Sequence, residues 1–358
     1  MGNHIDHIEI TNFKSIRHQK IEGCKRINVF IGYPNVGKSN ILEAIGLFST
    51  LLLDTQEHFS FDGICRVEET GDIFYNNDYK KGAQITVNSI AQLNVTNTSP
   101  STLELMYSNV KDVGVDEAKA KFNKLEKLTV NFPTRLEVID GAEIGIHLNY
   151  EPDSFKVIPF PIKKYEFKKN YVGGGWRDGF SLGIPNGHNL IDILRREPEL
   201  TKEINDIFKK YDLRIIFNDK RDRVELLKDL PSGAGSFIPY SLVADTLQRL
   251  IFYMAAIASN KNAVLLFEEP EAHMFPPYVS KLSGDIIFDK ENGNQYFINT
   301  HSPFVIGGFL EDAREDLSVY LVDYKNSETV IKKLSDDELH EVYQYGVDLF
   351  FNIQSYLD

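Results

Sequence analysis

Residues Gly32, Tyr33, Pro34, Asn35, Val36, Gly37, Lys38 and Ser39 place two glycines around four residues and follow them with Lys and Ser, the spacing of a phosphate-binding loop. Gly32 and Gly37 permit backbone angles and a close approach of phosphate that a side chain would obstruct. Lys38 is expected to reach the β and γ phosphates of a nucleotide, and the Ser39 hydroxyl to ligate Mg²⁺. Asn35, Val36 and Asn40 complete the set expected to line the cofactor.

A second group stands far along the chain, where Leu265, Leu266 and Phe267 lead into Glu268, Glu269, Pro270, Glu271, Ala272 and His273. In an open parallel sheet ligands sit beyond the carboxyl ends of the strands, so two carboxylates ending an apolar strand can meet the phosphate loop around one nucleotide. Glu268 is then expected to hold Mg²⁺ through water, and Glu269 to orient and polarise the attacking water. His301 follows the next apolar run, in Asn299, Thr300, His301, Ser302, Pro303, where it can sense or stabilise a γ phosphate. Taken singly, each group has a plainer reading: a glycine turn, a solvated acidic cap, a structural histidine. Their company favours chemistry.

The elements that must position these residues follow from periodicity. Ile8 to Ile10 and Ile27 to Ile31 read as short buried strands, and Lys38 to Leu53 has helical spacing with Ile41, Leu42, Ile45 and Leu52 inward. From about Phe59 to about Leu230 short apolar runs alternate with Asn, Gly, Asp and Pro, as in Ala83 to Val87, Leu136 to Ile139 and Ile144 to Leu148. This predicts a mostly antiparallel insertion with some helix, including a charged helical piece over Asp116 to Leu128 that is too short for a coiled-coil arm. After the loop Ser232 to Gly235, a helix is expected over Leu242 to Ala258, then the doubly buried strand Ala263 to Phe267, and strands over Tyr296 to Ile298 and Val319 to Val322. The fold expected is α/β, a P-loop NTPase with a mixed sheet core, helices and a mostly β insertion lobe. The division expected is 1–58 for the first part of the ATPase head, 59–230 for the insertion lobe and 231–358 for the rest of the head.

Composition limits the partners. With 52 acidic against 39 basic residues the net charge is −13, which gives no global attraction to nucleic-acid phosphates. The basic and aromatic groupings that could serve DNA are Lys220, Arg221 and Arg223, and Lys163, Lys164, Lys168 and Lys169 beside Tyr165, Phe167 and Tyr171; such runs are usually solvated faces. The stretch Gly173, Gly174, Gly175, Trp176 lacks a following Lys-Ser helix and reads as a loop. Two cysteines, Cys24 and Cys65, fit a reducing compartment. The polar first residues do not form a signal peptide, and no apolar run approaches the roughly 20 residues of a membrane span. A cytoplasmic chain with no membrane partner is expected.

Ile10 to Ile16, the P-loop, Glu268 to His273 and Thr300 to Pro303 together resemble the ABC-class AAA ATPases, the branch that holds the SMC-like repair ATPases, the OLD nucleases and many bacterial anti-phage ATPase subunits. The resemblance covers about the first 55 residues and roughly 240 to 310 of the sequence. It implies an ABC-type ATPase using ATP and Mg²⁺, with Lys14, Ser15, Asn35 and Lys38 near the nucleotide, Glu268 as Walker B acid, Glu269 as catalytic acid and His301 as switch histidine. It also implies that Glu271 and His273 lie in the loop that crosses to a partner subunit; a plain acidic helix turn is the alternative.

Three departures stand out. Glu268 stands where Asp is usual. The Ser-Gly-Gly-Gln signature is replaced by Ser241 to Arg249, in which Ser241, Asp245 and Gln248 are candidates for its role or simply a cap and a polar face. The magnesium-coupling Gln has only Gln56 as a candidate. After His301 the remaining residues are too few for the Toprim domain of OLD proteins. A homodimer or higher homo-oligomer closing on ATP is expected, regulating a separately encoded nuclease or toxin in anti-phage defence. A DNA-associated repair ATPase and a nucleotide sensor with negligible turnover are the alternatives.

Overall fold

The computed structural model of the chain describes residues 4–52, 61–109, 126–131, 145–149, 161–169, 180–218, 223–230 and 234–357. Gln56, Leu136 to Ile139, Tyr171, Gly173 to Trp176, Lys220, Arg221 and Ser232 lie outside the described residues, as does most of Asp116 to Leu128.

The chain opens with β1 (His7–Phe13), β2 (Ile16–Glu22) and β3 (Ile27–Ile31). β1 buries every second residue, the signature of a one-sided sheet, whereas all of β3 is buried, as in a strand covered on both faces. Helix α1 (Lys38–Gly46) starts directly on the phosphate loop. It is shorter than its spacing predicts. At Gly46 a Cβ would meet Lys164 Cδ at 2.9 Å, and beyond it the chain tightens into a 3₁₀ turn, Leu47–Leu52. The tighter winding moves the apolar phase, so Leu52, expected inward, is 41% exposed.

The middle of the chain adds β4 (Ala83–Val87), β5 (Ala91–Ser99), β6 (Thr102–Asn109), β7 (Glu126–Asn131) and β8 (Gly145–Asn149). These continue β2 and β1 as an antiparallel sheet in the order β2-β1-β4-β5-β6-β7-β8. Residues 126–128, placed in a helix by their charge spacing, therefore stand in β7. Strand β9 (Ile162–Tyr165) leaves this lobe for the core, and α2 (Leu190–Arg196), α3 (Pro198–Phe208), β10 (Leu213–Asn218), β11 (Arg223–Asp229) and β12 (Gly235–Pro239) follow, the last three forming a small sheet.

The second half of the core is α4 (Asp245–Ser259), β13 (Val264–Glu268), α5 (Pro276–Phe288), β14 (Gln295–Asn299), α6 (Pro303–Asp312), β15 (Leu317–Lys325) and β16 (Glu328–Lys333), followed by α7 (Asp336–Tyr345) and α8 (Ile353–Leu357). The core sheet runs β16-β15-β3-β14-β13-β9; β15, β3, β14, β13 and β9 are parallel and β16 is antiparallel. Helix α1 packs over β9, β13 and β14. On the other face Tyr253 of α4 meets Phe267 edge to face at 4.9 Å. The mixed α/β architecture is the one the sequence predicts. Residues 59–230 supply both the outer lobe and the β9 edge of the core, while β1 and β2 belong to the lobe's sheet.

Candidate functional site

The phosphate loop links the C-terminal end of β3 to the N-terminus of α1, so the free N–H groups of the helix's first turn face the loop. Both glycines are required by contact. A Cβ on Gly32 would lie 2.2 Å from the Val322 carbonyl oxygen, and one on Gly37 would lie 2.1 Å from Thr329 Oγ1. Gly37 also has φ +101°, and Asn35 sits at φ 62°. Lys38 is buried, and its ammonium donates to the Gly32 and Tyr33 carbonyls at 2.9 and 2.8 Å. Burial brings its pKa down to about 8, against the pull of Glu269 and Glu268.

A hydroxyl relay fixes the loop from behind. Asn40 Nδ2 donates to Ser15 Oγ at 2.6 Å, Ser15 Oγ lies 2.6 Å from Thr329 Oγ1, and Thr329 Oγ1 donates to the Val36 carbonyl at 2.8 Å. Thr329 has a single hydroxyl proton and spends it on Val36, so Ser15 is the donor between the two hydroxyls. The Thr329 N–H also donates to the Ser15 carbonyl at 2.8 Å. The β1–β2 turn, the phosphate loop and edge strand β16 are thereby tied at one point.

The acids close the other side. β13 ends at Glu268, whose carboxylate accepts from Arg66 at 2.7 Å, lies 3.6 Å from Lys164 Nζ and stands beside the Ser39 hydroxyl, which lowers its pKa. Burial pushes its carboxyl up, but Lys164, Ser39 and Arg66 outweigh burial and hold it below the usual value. Ser39 and Glu268 present a hydroxyl and one carboxylate, hard oxygen donors that leave places for phosphate and water; that set fits Mg²⁺.

Glu269 turns the chain sharply with φ 42°. Its carboxylate stands 3.4 Å from His301 Nε2, and both side chains are partly open to solvent. Burial and then Lys38 lower the His301 pKa, with Glu269 opposing them; this favours the neutral ring, which carries one donor and one acceptor nitrogen.

Other residues sit elsewhere than expected. Lys14 pairs with buried Glu43 and donates to the Arg66 carbonyl, so it faces the back of α1. Glu271 is 8% exposed and folds inward, accepting from the Thr300 hydroxyl and from the His301 N–H at 3.1 Å; it holds the His301 loop. His273 has φ 61°, and its carbonyl accepts from Thr246 Oγ1 at 2.8 Å.

In the signature-like stretch α4 begins at Asp245, after a 3₁₀ turn over Tyr240–Leu242. Ser241 is exposed and is not the cap, while Gln248 is buried and donates to the Val243 carbonyl at 2.8 Å. Lys163 and Lys164 are also internal. Lys163 donates to the Ser181 hydroxyl and Asn260, and Lys164 to the Ile64 carbonyl, so this pair offers no basic face.

Sequence reasoning gave no site role to Glu43, Arg66 or Thr329, weighed Lys164 only as a base for DNA, and named Asn299 only as the start of the His301 turn. Glu43 carried a weak signal, a lone acid on the buried side of a phosphate-loop helix. Arg66 and Thr329 carried none and the basic run at Lys164 pointed elsewhere, because only the fold brings them to the loop.

A family model described as "AAA domain, putative AbiEii toxin, Type IV TA system" matches residues 140–307. The DNA replication and repair protein RecF of Caldanaerobacter subterraneus is 29% identical over 114 residues, 29% of this chain and 30% of that protein; the match thus spans under a third of the relative. An ATP/GTP phosphatase of Helicobacter pylori is 21% identical over 83% of this chain and 85% of its own length. Among solved structures, an Smc head bound to the C-terminal winged-helix domain of ScpA superposes with a TM-score of 0.51 at 15% identity, covering 93% of this chain and 98% of that one. The chain therefore has the P-loop fold of SMC heads and is similar in sequence to an AAA ATPase domain over residues 140–307.

Proposed function

We propose that this chain binds ATP with Mg²⁺ on the Gly32–Ser39 loop and hydrolyses it, with Glu269 as the catalytic acid–base group and His301 beside the γ phosphate. The observation that carries the reading is the meeting of loop and acids: the Ser39 hydroxyl stands beside Glu268, Lys38 lies within the fields of Glu268 and Glu269, and the Glu269 carboxylate lies 3.4 Å from His301 Nε2. The N–H groups of the loop and Lys38 hold the phosphates, and Glu269 takes the proton of the attacking water. Magnesium, when bound at Ser39 and Glu268, neutralises charge on the phosphate oxygens.

The partial exposure of Glu269 and His301 leaves one side of the site open. A second copy closes it, head to tail, when ATP is bound, and this assembly controls a separately encoded nuclease or toxin in anti-phage defence. The toxin–antitoxin wording of the matching family and the ScpA partner of the SMC-head relative support an effector of this kind. A DNA-repair role has the short RecF likeness in its favour, with the net charge and the internal Lys163 and Lys164 against it.

Two variants test the reading. Lys38→Ala is expected to weaken ATP binding by about a hundredfold or more, and Glu269→Gln to lower turnover by roughly the same factor with affinity retained. Equilibrium binding, phosphate release and light-scattering mass with ATP measure these. Equal turnover in Glu269→Gln and wild type would remove Glu269 from the chemistry, and a monomer in Glu269→Gln with saturating ATP would remove the closed dimer.

A further inference from the structure

We propose that Asn299 holds a water molecule at the floor of the nucleotide site, as a positioning residue for hydrolysis; this rests on the ATPase reading above. Asn299 ends β14 and is 1% exposed, yet neither its Nδ2 nor its Oδ1 has a hydrogen-bond partner among the described residues. Buried polar groups are nearly always paired, because leaving one unpaired forfeits the hydration it had in the unfolded chain. An amide with both ends free inside the fold would cost stability, so such a residue calls for a ligand that pairs them.

The register says where the amide points. Asn299 is the partner of Glu268 on β13 and of Phe30 on β3, and partners across parallel strands project from the same face of the sheet. That face is the one on which Glu268 meets Ser39, Arg66 and Lys164 and over which α1 packs. Two residues after Phe30 the chain becomes Gly32, whose carbonyl holds Lys38. The Asn299 amide thus lies between the carboxylate of Glu268 and the root of the phosphate loop. The next peptide is fixed as well, since the Glu269 N–H donates to the Asn299 carbonyl at 3.0 Å, joining this residue to both acids.

The chemistry of the ligand follows from the two free atoms. A phosphate oxygen accepts and could satisfy Nδ2 alone, and an ammonium donates and could satisfy Oδ1 alone. Water does both. A water held here stands against Glu268 and below the loop, in place to join the oxygen shell of the bound metal triphosphate or to be delivered to the phosphorus.

The test separates this role from a structural one. Asn299→Leu keeps the shape of the side chain and removes both polar atoms. It is expected to lower kcat by about a hundredfold, with ATP affinity changed by no more than about threefold. Asn299→Ala, which leaves space, should show the same loss of kcat at retained affinity and decides the matter should the Leu variant not fold. A wild-type kcat in either variant means the amide holds nothing that matters, and an ATP affinity that falls as far as kcat means it serves the phosphate loop and not a water; each overturns the proposal. Wild-type protein without turnover removes the parent reading and this one together, whereas turnover that tolerates Asn299→Leu removes this one alone.

Discussion

The two sides of the nucleotide site are built on opposite principles. On the cradle side the polar atoms are tied down: Lys38 is bonded to two loop carbonyls, and the relay from Asn40 through Ser15 and Thr329 ends on the Val36 carbonyl. On the acid side the structure holds strain and unpaired groups. Glu269 sits at φ 42°, the Asn299 amide and Glu271 Oε2 are buried without partners among the described residues, and Glu269 and His301 are partly open to solvent. A cradle finished in advance binds phosphate without reorganising. An acid side left unsatisfied gains its missing bonds only from what arrives, so its free energy is reserved for the loaded state.

The contrast is broken most strongly by removing the relay. Thr329→Val keeps the β-branched shape on β16 and deletes the hydroxyl that holds Val36. A trans peptide is planar, with its C=O and N–H pointing opposite ways, so anchoring the Val36 carbonyl on Thr329 turns the Gly37 N–H to the other side. Leaving that carbonyl and Ser15 unpaired costs about 1–3 kcal/mol, mostly by depopulating the binding-competent loop. ATP affinity measured by titration should fall roughly ten- to hundredfold, and Thr329→Ser should restore it. Equal affinity in wild type and the Val variant would show that the loop holds its shape unaided.

Lys38 sharpens the comparison through pH. Its pKa in the free protein is about 8, lowered from 10.5 by burial, whereas phosphate binds the ammonium form and raises it. Below about pH 8 Lys38 is charged and affinity is flat; above it each pH unit lowers ATP affinity by up to about tenfold. Stability of the nucleotide-free protein runs the other way over that window. The unfolded chain, with the higher pKa, binds more protons between pH 8 and 10.5, so Lys38 adds stability as pH rises there. Calorimetry in buffers of different ionisation heat should show proton uptake on ATP binding near pH 8.5. Release instead of uptake would contradict the assignment.

What was legible in the sequence follows the same division. The cradle lies within eight consecutive residues, so its glycine spacing, its lysine and its helix could be read directly. The fold class was legible too, because fully buried β3 and β14 and nearly buried β13 read as short, mostly apolar runs. Glu268, Glu269 and His301 were visible as polar residues ending such runs. The supports were not. Thr329 is an ordinary edge-strand threonine until β16 pairs beside β15, and Asn299 is an ordinary strand end until its register with Glu268 is known. Leu52 was misplaced because helix spacing was carried across the change to 3₁₀ at Leu47, and Glu271 was placed by resemblance in a loop that crosses to a partner, whereas Thr300 and His301 bind it inside this chain.

The smallest effect tests the strain itself. Glu269 adopts a left-handed conformation that an L side chain resists and glycine accepts, and such a residue stores on the order of 1 kcal/mol. Glu269→Gly should raise stability by about 1 kcal/mol, a shift of a few degrees in melting temperature, offset partly by the greater freedom of glycine in the unfolded chain. The same variant should lose hydrolysis as completely as Glu269→Gln while keeping ATP affinity, since the cradle is untouched. Glu269→Ala separates the two causes: it loses the carboxylate but keeps the strain, so it should match the Gly variant in turnover and fall below it in stability. If Ala and Gly were equally stable, the backbone at Glu269 would be relaxed, and the acid side's missing satisfaction would lie in its unpaired side chains alone.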